Sequence, residues 1–221
     1  LAGSSAASDV YKRQVIEFSD EEREKDRLIP FDIEEFKKSI DIGDVKGEKG
    51  YNTLERRSIR PCLDVNGMWG GYTDEGSKTV IPSKAYAKIS MRLVSNQNWK
   101  EISDLFSKHM KKITPSGMKI KITEHHGGEP YLTSTKSKAY KAASDAYKDV
   151  FGKEPFALKD GGSIPIIAQF EKELGVKTIL MGFGLDSDAI HSPNEHFGVS
   201  NFYNGIAVSY THLTLPTILL V

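Results

Sequence analysis

Ile190-His191-Ser192-Pro193-Asn194-Glu195-His196-Phe197 is the stretch on which the reading of the chain turns. Asp186-Ser187-Asp188 comes just before it, and Asp160-Gly161-Gly162-Ser163-Ile164-Pro165 lies a short way upstream. A histidine, several carboxylates, a serine and glycine-rich turns thus crowd into fewer than forty residues. Reactive groups of this kind are held on loops at the ends of rigid elements. Lys177-Thr178-Ile179-Leu180-Met181, closed by Gly182, reads as a short buried strand. From Ile164 to Leu174 the spacing of Ile166, Ile167, Phe170 and Leu174 predicts a helix, with Pro165 in its first turn and Gly175 as its stop. Ser163 then sits near a helix N-terminus, where free N–H groups favour an anion. His191 falls in the loop after the strand. Turn, helix and strand in this order suit the last part of an α/β domain.

Residue types alone leave two readings of His191, a metal ligand or a surface side chain. A zinc site takes four ligands, or three and a water, and one imidazole does not make it. Glycine pairs, likewise, ordinarily mark turns. The order of four motifs narrows the choice. Ser77-Lys78-Thr79-Val80-Ile81-Pro82, Arg92-Leu93-Val94, Gly161-Gly162-Ser163-Ile164-Pro165 and His191-Ser192-Pro193-Asn194-Glu195 together resemble the co-catalytic zinc peptidase family of carnosinases, other dipeptidases, aminoacylases and desuccinylases. The likeness runs from about Val15 to Ala207 and is greatest to the carnosinase-like dipeptidase branch.

The resemblance implies a role for each matching residue. His191 resembles the last zinc ligand of the family, with Glu195 or Asp188 as candidates to orient its second ring nitrogen. Ser163 and the Gly162 amide resemble the pocket for the substrate's terminal carboxylate. Arg92 resembles the lid arginine that pairs with the same carboxylate, a task suited to a planar, permanently charged fork. Thr79 matches a lid position that reaches the neighbouring subunit's site. Asp160 stands where relatives often carry Glu. Without the resemblance, Arg92 and Thr79 read equally well as a solvated strand face. The implied cofactor is a pair of zinc ions that activates a water for attack on a peptide carbonyl while a carboxylate takes its proton. The implied partners are a dipeptide or short peptide and a second copy, joined through the lid.

Composition fits this frame. Lys plus Arg and Asp plus Glu both number 30, a balance that argues against nucleic acid or an anionic membrane as the main partner. Cys62 is the single cysteine, so no intrachain disulfide forms. No run has the length of a transmembrane helix and none reads as a secretory leader, so the expected compartment is the cytoplasm.

The chain divides by texture. Residues 1–14 and 208–221 read as non-native tails, resembling translated adapter sequence. Residues 15–126 read as a partial lid or dimerisation domain of α+β class, a sheet covered by helices on one face. Its expected helices include one capped by Ser19, one by Asp32 with Ile33, Phe36 and Ile40 on one face, and one after Asn96 with Trp99, Ile102, Leu105, Phe106 and Met110 inward. Its expected strands are one with a turn within Arg60 to Gly71, one over Ala85 to Val94 and one over Met118 to Thr123. Residues 127–207 read as the C-terminal segment of an α/β catalytic domain, with helices over Thr135–Val150 and Val199–Ile206 and a short strand at Phe156–Leu158. Ala139, Ala142, Ala143, Ala146 and Tyr147 form the packed face of the first of these helices.

Other histidines read as structural. His125 and His126, if on a strand, point to opposite faces. His109 lies beside lysines on a helix surface, and His196 is a neighbour of the site at most. The family's first zinc histidine, bridging Asp and glutamate base have no counterpart before Arg92, so the expectation is a fragment that is inactive alone. Two alternatives stay open: an N-acyl amino acid deacylase, or a non-catalytic module that pairs through a sheet edge.

Overall fold

A computed structural model describes residues 12, 14–160 and 164–211. Seven helices and two strands are formed among them, and the chain separates into two compact units. One is Leu1–Tyr131 with Leu158–Ala168; the other is Leu132–Ala157 with Gln169–Val221.

The first unit opens with three short helices that owe their ends to capping. In α1 (Asp20–Arg27) the Ser19 hydroxyl accepts the Glu22 amide while the Glu22 carboxylate returns to the Ser19 amide. In α2 (Ile33–Ser39) the Asp32 carboxylate accepts the Glu34 and Glu35 amides. In α3 (Thr53–Ser58) Asn52 and Glu55 form a second reciprocal pair. Neither α1 nor α2 buries a residue, so polar contacts hold this region in place. The Arg60 guanidinium forks onto Glu48 at 3.0 and 2.8 Å, donates to Glu17 at 2.6 Å and stacks on Tyr51. Arg23 covers Tyr51 too, and donates to Glu55 at 2.8 Å. Glu55, Ile59 and Arg60 are all buried.

Strands β1 (Cys62–Gly70) and β2 (Ala85–Arg92) pair antiparallel, from Cys62 opposite Arg92 to Gly70 opposite Ala85. The register slips between Val65 and Gly67, placing a bulge at Asn66. Trp69 and Tyr86 stack across the pair at 5.1 Å between centroids, a cross-strand contact that steadies the ribbon. Helix α4 (Trp99–Ile113) is capped by Asn98 and turns Ile102 into the core. Two glycines let the chain pass close by. A Cβ on Gly127 would sit 2.4 Å from the Trp99 ring, and one on Gly128 2.3 Å from Pro165.

In the second unit, α5 (Lys138–Phe151) runs from its Ser137 cap to Gly152, whose φ of 70° closes the helix in the left-handed form. After α6 (Ile166–Leu174) the chain reaches a single 3₁₀ turn at Asp186–Asp188 and then α7 (Val199–Thr211). Helices α5 and α7 pack together, and Ala143, Ala146 and Val208 are buried. Small alanines let the helix backbones approach closely. Tyr147 stacks on Phe183 at 5.3 Å and its hydroxyl donates to the Gly182 carbonyl at 2.8 Å.

Several expectations are corrected. Met118–Thr123, Phe156–Leu158 and Lys177–Met181 adopt neither helix nor strand. Met118, Phe156 and Leu180 are each more than half exposed, and a strand exists only where a neighbour completes its ladder. The sheet of the first unit therefore has two strands among the described residues. Ala139 faces water, since α5 begins only at Lys138 and its first turn projects beyond the packed face. The last helix runs on past Ile206 to Thr211. His109 is half-buried and not a surface group; its Nε2 is enclosed without a hydrogen-bond partner among the described residues.

Candidate functional site

His191 is exposed and sits on a loop built from two successive turns. The Ser192 amide bonds to the Ala189 carbonyl at 2.8 Å, and the Glu195 amide to the Ser192 carbonyl at 3.2 Å. Ala189, His191 and Asn194 all take positive φ, at 53°, 63° and 65°. Non-glycine residues rarely adopt this conformation, and clusters of them mark functional loops. The carboxylates proposed to orient the His191 ring are engaged elsewhere. Glu195 Oε2 accepts the backbone N–H of His191 at 3.1 Å. Asp188 is buried; its Oδ2 accepts the Leu185 amide at 2.9 Å and its Oδ1 lies 3.9 Å from His196 Nε2. His196 Nδ1 lies 3.1 Å from the Asn194 carbonyl, so this second imidazole belongs to the loop's own fabric.

The other described candidates lie in the first unit. Arg92 ends β2, exposed, with Cys62 opposite it. Thr79 is exposed on the segment joining β1 to β2. That segment stays near the turn end of the ribbon: Pro82 lies against Gly71, and Lys78 stands over the Tyr72 ring. Seven steps of strand from Ala85 to Arg92 span roughly 23 Å, so one small ligand in one subunit does not meet both Thr79 and Arg92. Asp160 is exposed, with Arg57 at 3.9 Å. Next to it, the Lys159 ammonium donates to both Asp26 carboxylate oxygens, at 2.7 and 2.8 Å. Sequence reading missed this pair, whose members lie 133 residues apart. Gly162 and Ser163 lie outside the described residues.

No group of three His, Cys, Asp or Glu side chains converges as a metal set among the described residues. Among the described residues, the donor set therefore does not complete a metal centre by itself. A thiol nucleophile is no better placed. Burial, reinforced by Asp64, pushes the half-buried Cys62 thiol up and disfavours the reactive thiolate. No helix of the described residues is long and apolar enough to cross a membrane.

Comparison with known proteins supplies the wider frame. Residues 10–214 match the model of peptidase family M20/M25/M40. The chain is 34% identical over 195 residues to a Cys-Gly metallodipeptidase of Candida albicans, covering 86% of this chain and 40% of that protein. It is 28% identical to the human Beta-Ala-His dipeptidase, covering 87% of this chain and 38% of the relative. Among solved structures, a metallo-carboxypeptidase of the M20 family from Sulfolobus solfataricus superposes with a TM-score of 0.82 at 31% identity, over 96% of this chain and 48% of the other. The chain thus spans less than half the length of the relatives it matches. Its α/β fold is that of M20 peptidase domains, and the chain belongs to peptidase family M20/M25/M40.

Proposed function

We propose that the protein is a metal-dependent peptidase that hydrolyses dipeptides or short peptides, and that this chain supplies only part of its active site. The observation that carries the reading is the 34% identity to a Cys-Gly metallodipeptidase along 86% of the chain. In this proposal His191 is one metal ligand, and the remaining ligands and the general base come from polypeptide outside these residues. Two zinc ions, when bound, would supply an activated water. The rest is substrate handling by this chain. Arg92, with Ser163 and the Gly162 amide, grips the terminal carboxylate, and Asp160 flanks that turn. Residues 15–126 act as the lid and 127–207 as part of the catalytic domain. Thr79, at the far end of the ribbon from Arg92, serves the site of a second subunit, which makes the working protein a homodimer. The cytoplasm is the proposed compartment.

Arg92 gives a direct test. Arg92→Ala in the full-length protein is expected to raise KM for dipeptides by roughly 10- to 100-fold, the worth of a charge-assisted bond. Arg92→Lys recovers only part of this, because an ammonium lacks the fork. A dipeptide amide, lacking the carboxylate, should show little further loss in the variant. Unchanged KM for the free dipeptide in Arg92→Ala removes Arg92 from the site. A panel that also holds N-acyl amino acids separates dipeptidase from deacylase activity.

A further inference from the structure

We infer that Asp188 is the positioning residue of the His191 loop, holding it in its left-handed form so that the imidazole is presented ready-made before any metal binds. The presentation role rests on the proposed reading of His191; the holding role does not. Asp188 is 3% exposed, the most enclosed carboxylate of the second unit. It fastens the loop at both ends. On the entry side its Oδ2 accepts the Leu185 amide at 2.9 Å, and its own amide bonds to the Leu185 carbonyl at 3.0 Å. On the exit side its carbonyl accepts the His196 amide at 3.0 Å. Between these clasps lie the left-handed Ala189, His191 and Asn194. Such conformations persist only where surrounding bonds over-determine them. Glu195 adds one more, from its carboxylate to the His191 amide. Every one of these bonds uses the His191 backbone or none of His191 at all, so the ring is left out of the loop's own structure.

The test is amide exchange and backbone carbon shifts by NMR on the purified chain with a chelator present. The wild-type chain is expected to show a left-handed shift signature at Ala189 and His191 without metal, and protected amides at Leu185 and His196. Asp188→Ala removes the acceptor of the Leu185 amide and keeps the carbonyl that receives His196; it should speed exchange at Leu185 at least tenfold, speed His196 through the loosened turn, and average the His191 signature, while Ala143 and Ala146 in α5 keep their protection. Asp188→Asn, which still offers an acceptor to Leu185, should restore most of the loss. Unchanged exchange in Asp188→Ala, or a His191 signature that appears only on adding zinc, overturns the inference. If Asp188→Ala unfolds the chain, Ala189 decides. Ala189→Gly should keep the His196 amide protected, whereas Ala189→Val, a branched residue at φ 53°, should lose at least tenfold. Equal protection in the two contradicts the inference. His191→Ala should leave His196 protection as in wild type, so a failed metal reading and a failed loop reading are told apart.

Discussion

Replacing His191 by alanine in the full-length protein is expected to lower dipeptide hydrolysis by more than about a hundredfold and to reduce metal occupancy. Losing a residue that merely orients a ligand already costs about 10- to 100-fold in metal affinity or activity, and losing the ligand itself costs at least that much. The effect should be specific to one imidazole. His196 has Nδ1 beside the Asn194 carbonyl and Nε2 facing Asp188, so His196→Ala should reduce activity only a few-fold, through the loop. Occupancy measured by metal analysis, beside kcat and KM, separates loss of the ion from loss of the fold. Wild-type occupancy in His191→Ala removes this residue from the metal centre.

The largest effect on stability is expected at Arg60, where substitution by alanine should cost about 3 kcal/mol, read as a lower urea midpoint at constant slope. The side chain is 6% exposed and makes three hydrogen bonds to two carboxylates. Removing it leaves Glu48, only partly exposed, with Lys12 at 3.4 Å in place of two guanidinium bonds, and strips the Tyr51 ring of one covering cation. Glu17 is half exposed and can rehydrate, which keeps the cost at the low end for a buried pair. Lysine should not rescue, because one ammonium cannot fork onto Glu48 and reach Glu17 together. The pH dependence follows in sign. The hydrogen bond from Arg60 holds the Glu48 carboxyl below its usual value of 4.5. At Glu55 burial pulls upward, but the bonds from Arg23 and the Asn52 amide outweigh it and the net shift is also downward. A folded-state pKa below the unfolded one means stabilisation present above the unfolded value and lost as pH falls through the folded one. The gap between wild type and Arg60→Ala should therefore narrow as the solution is taken below about pH 4.

Much of the local structure can be read from the chain because it depends on near neighbours. Ser19 with Glu22, and Asp32 with the Glu34 and Glu35 amides, are caps complete within four residues. The inward turn of Ile102 in α4 follows from helical spacing. What depends on distant partners was not legible. Alternation in Met118–Thr123 marks a strand's two faces, but no residue in that stretch says whether a neighbouring strand completes its ladder. Arg60 and Glu17 meet across 43 residues, and no local pattern announces it. The candidate site divides in the same way. The chemistry of the His191 stretch shows in its residue types and their order. The left-handed backbone at His191, and the burial of Asp188 that goes with it, arise from bonds to Leu185 and His196 that the residue names do not reveal.

The central claim is that this chain brings one metal ligand and the carboxylate grip to a centre completed by other polypeptide. Zinc titration of the purified chain by calorimetry, with a parallel assay against dipeptides, tests it most directly. The account predicts no tight stoichiometric zinc and no turnover. Two tightly bound ions per chain, or hydrolysis of a dipeptide by the chain alone, would contradict it.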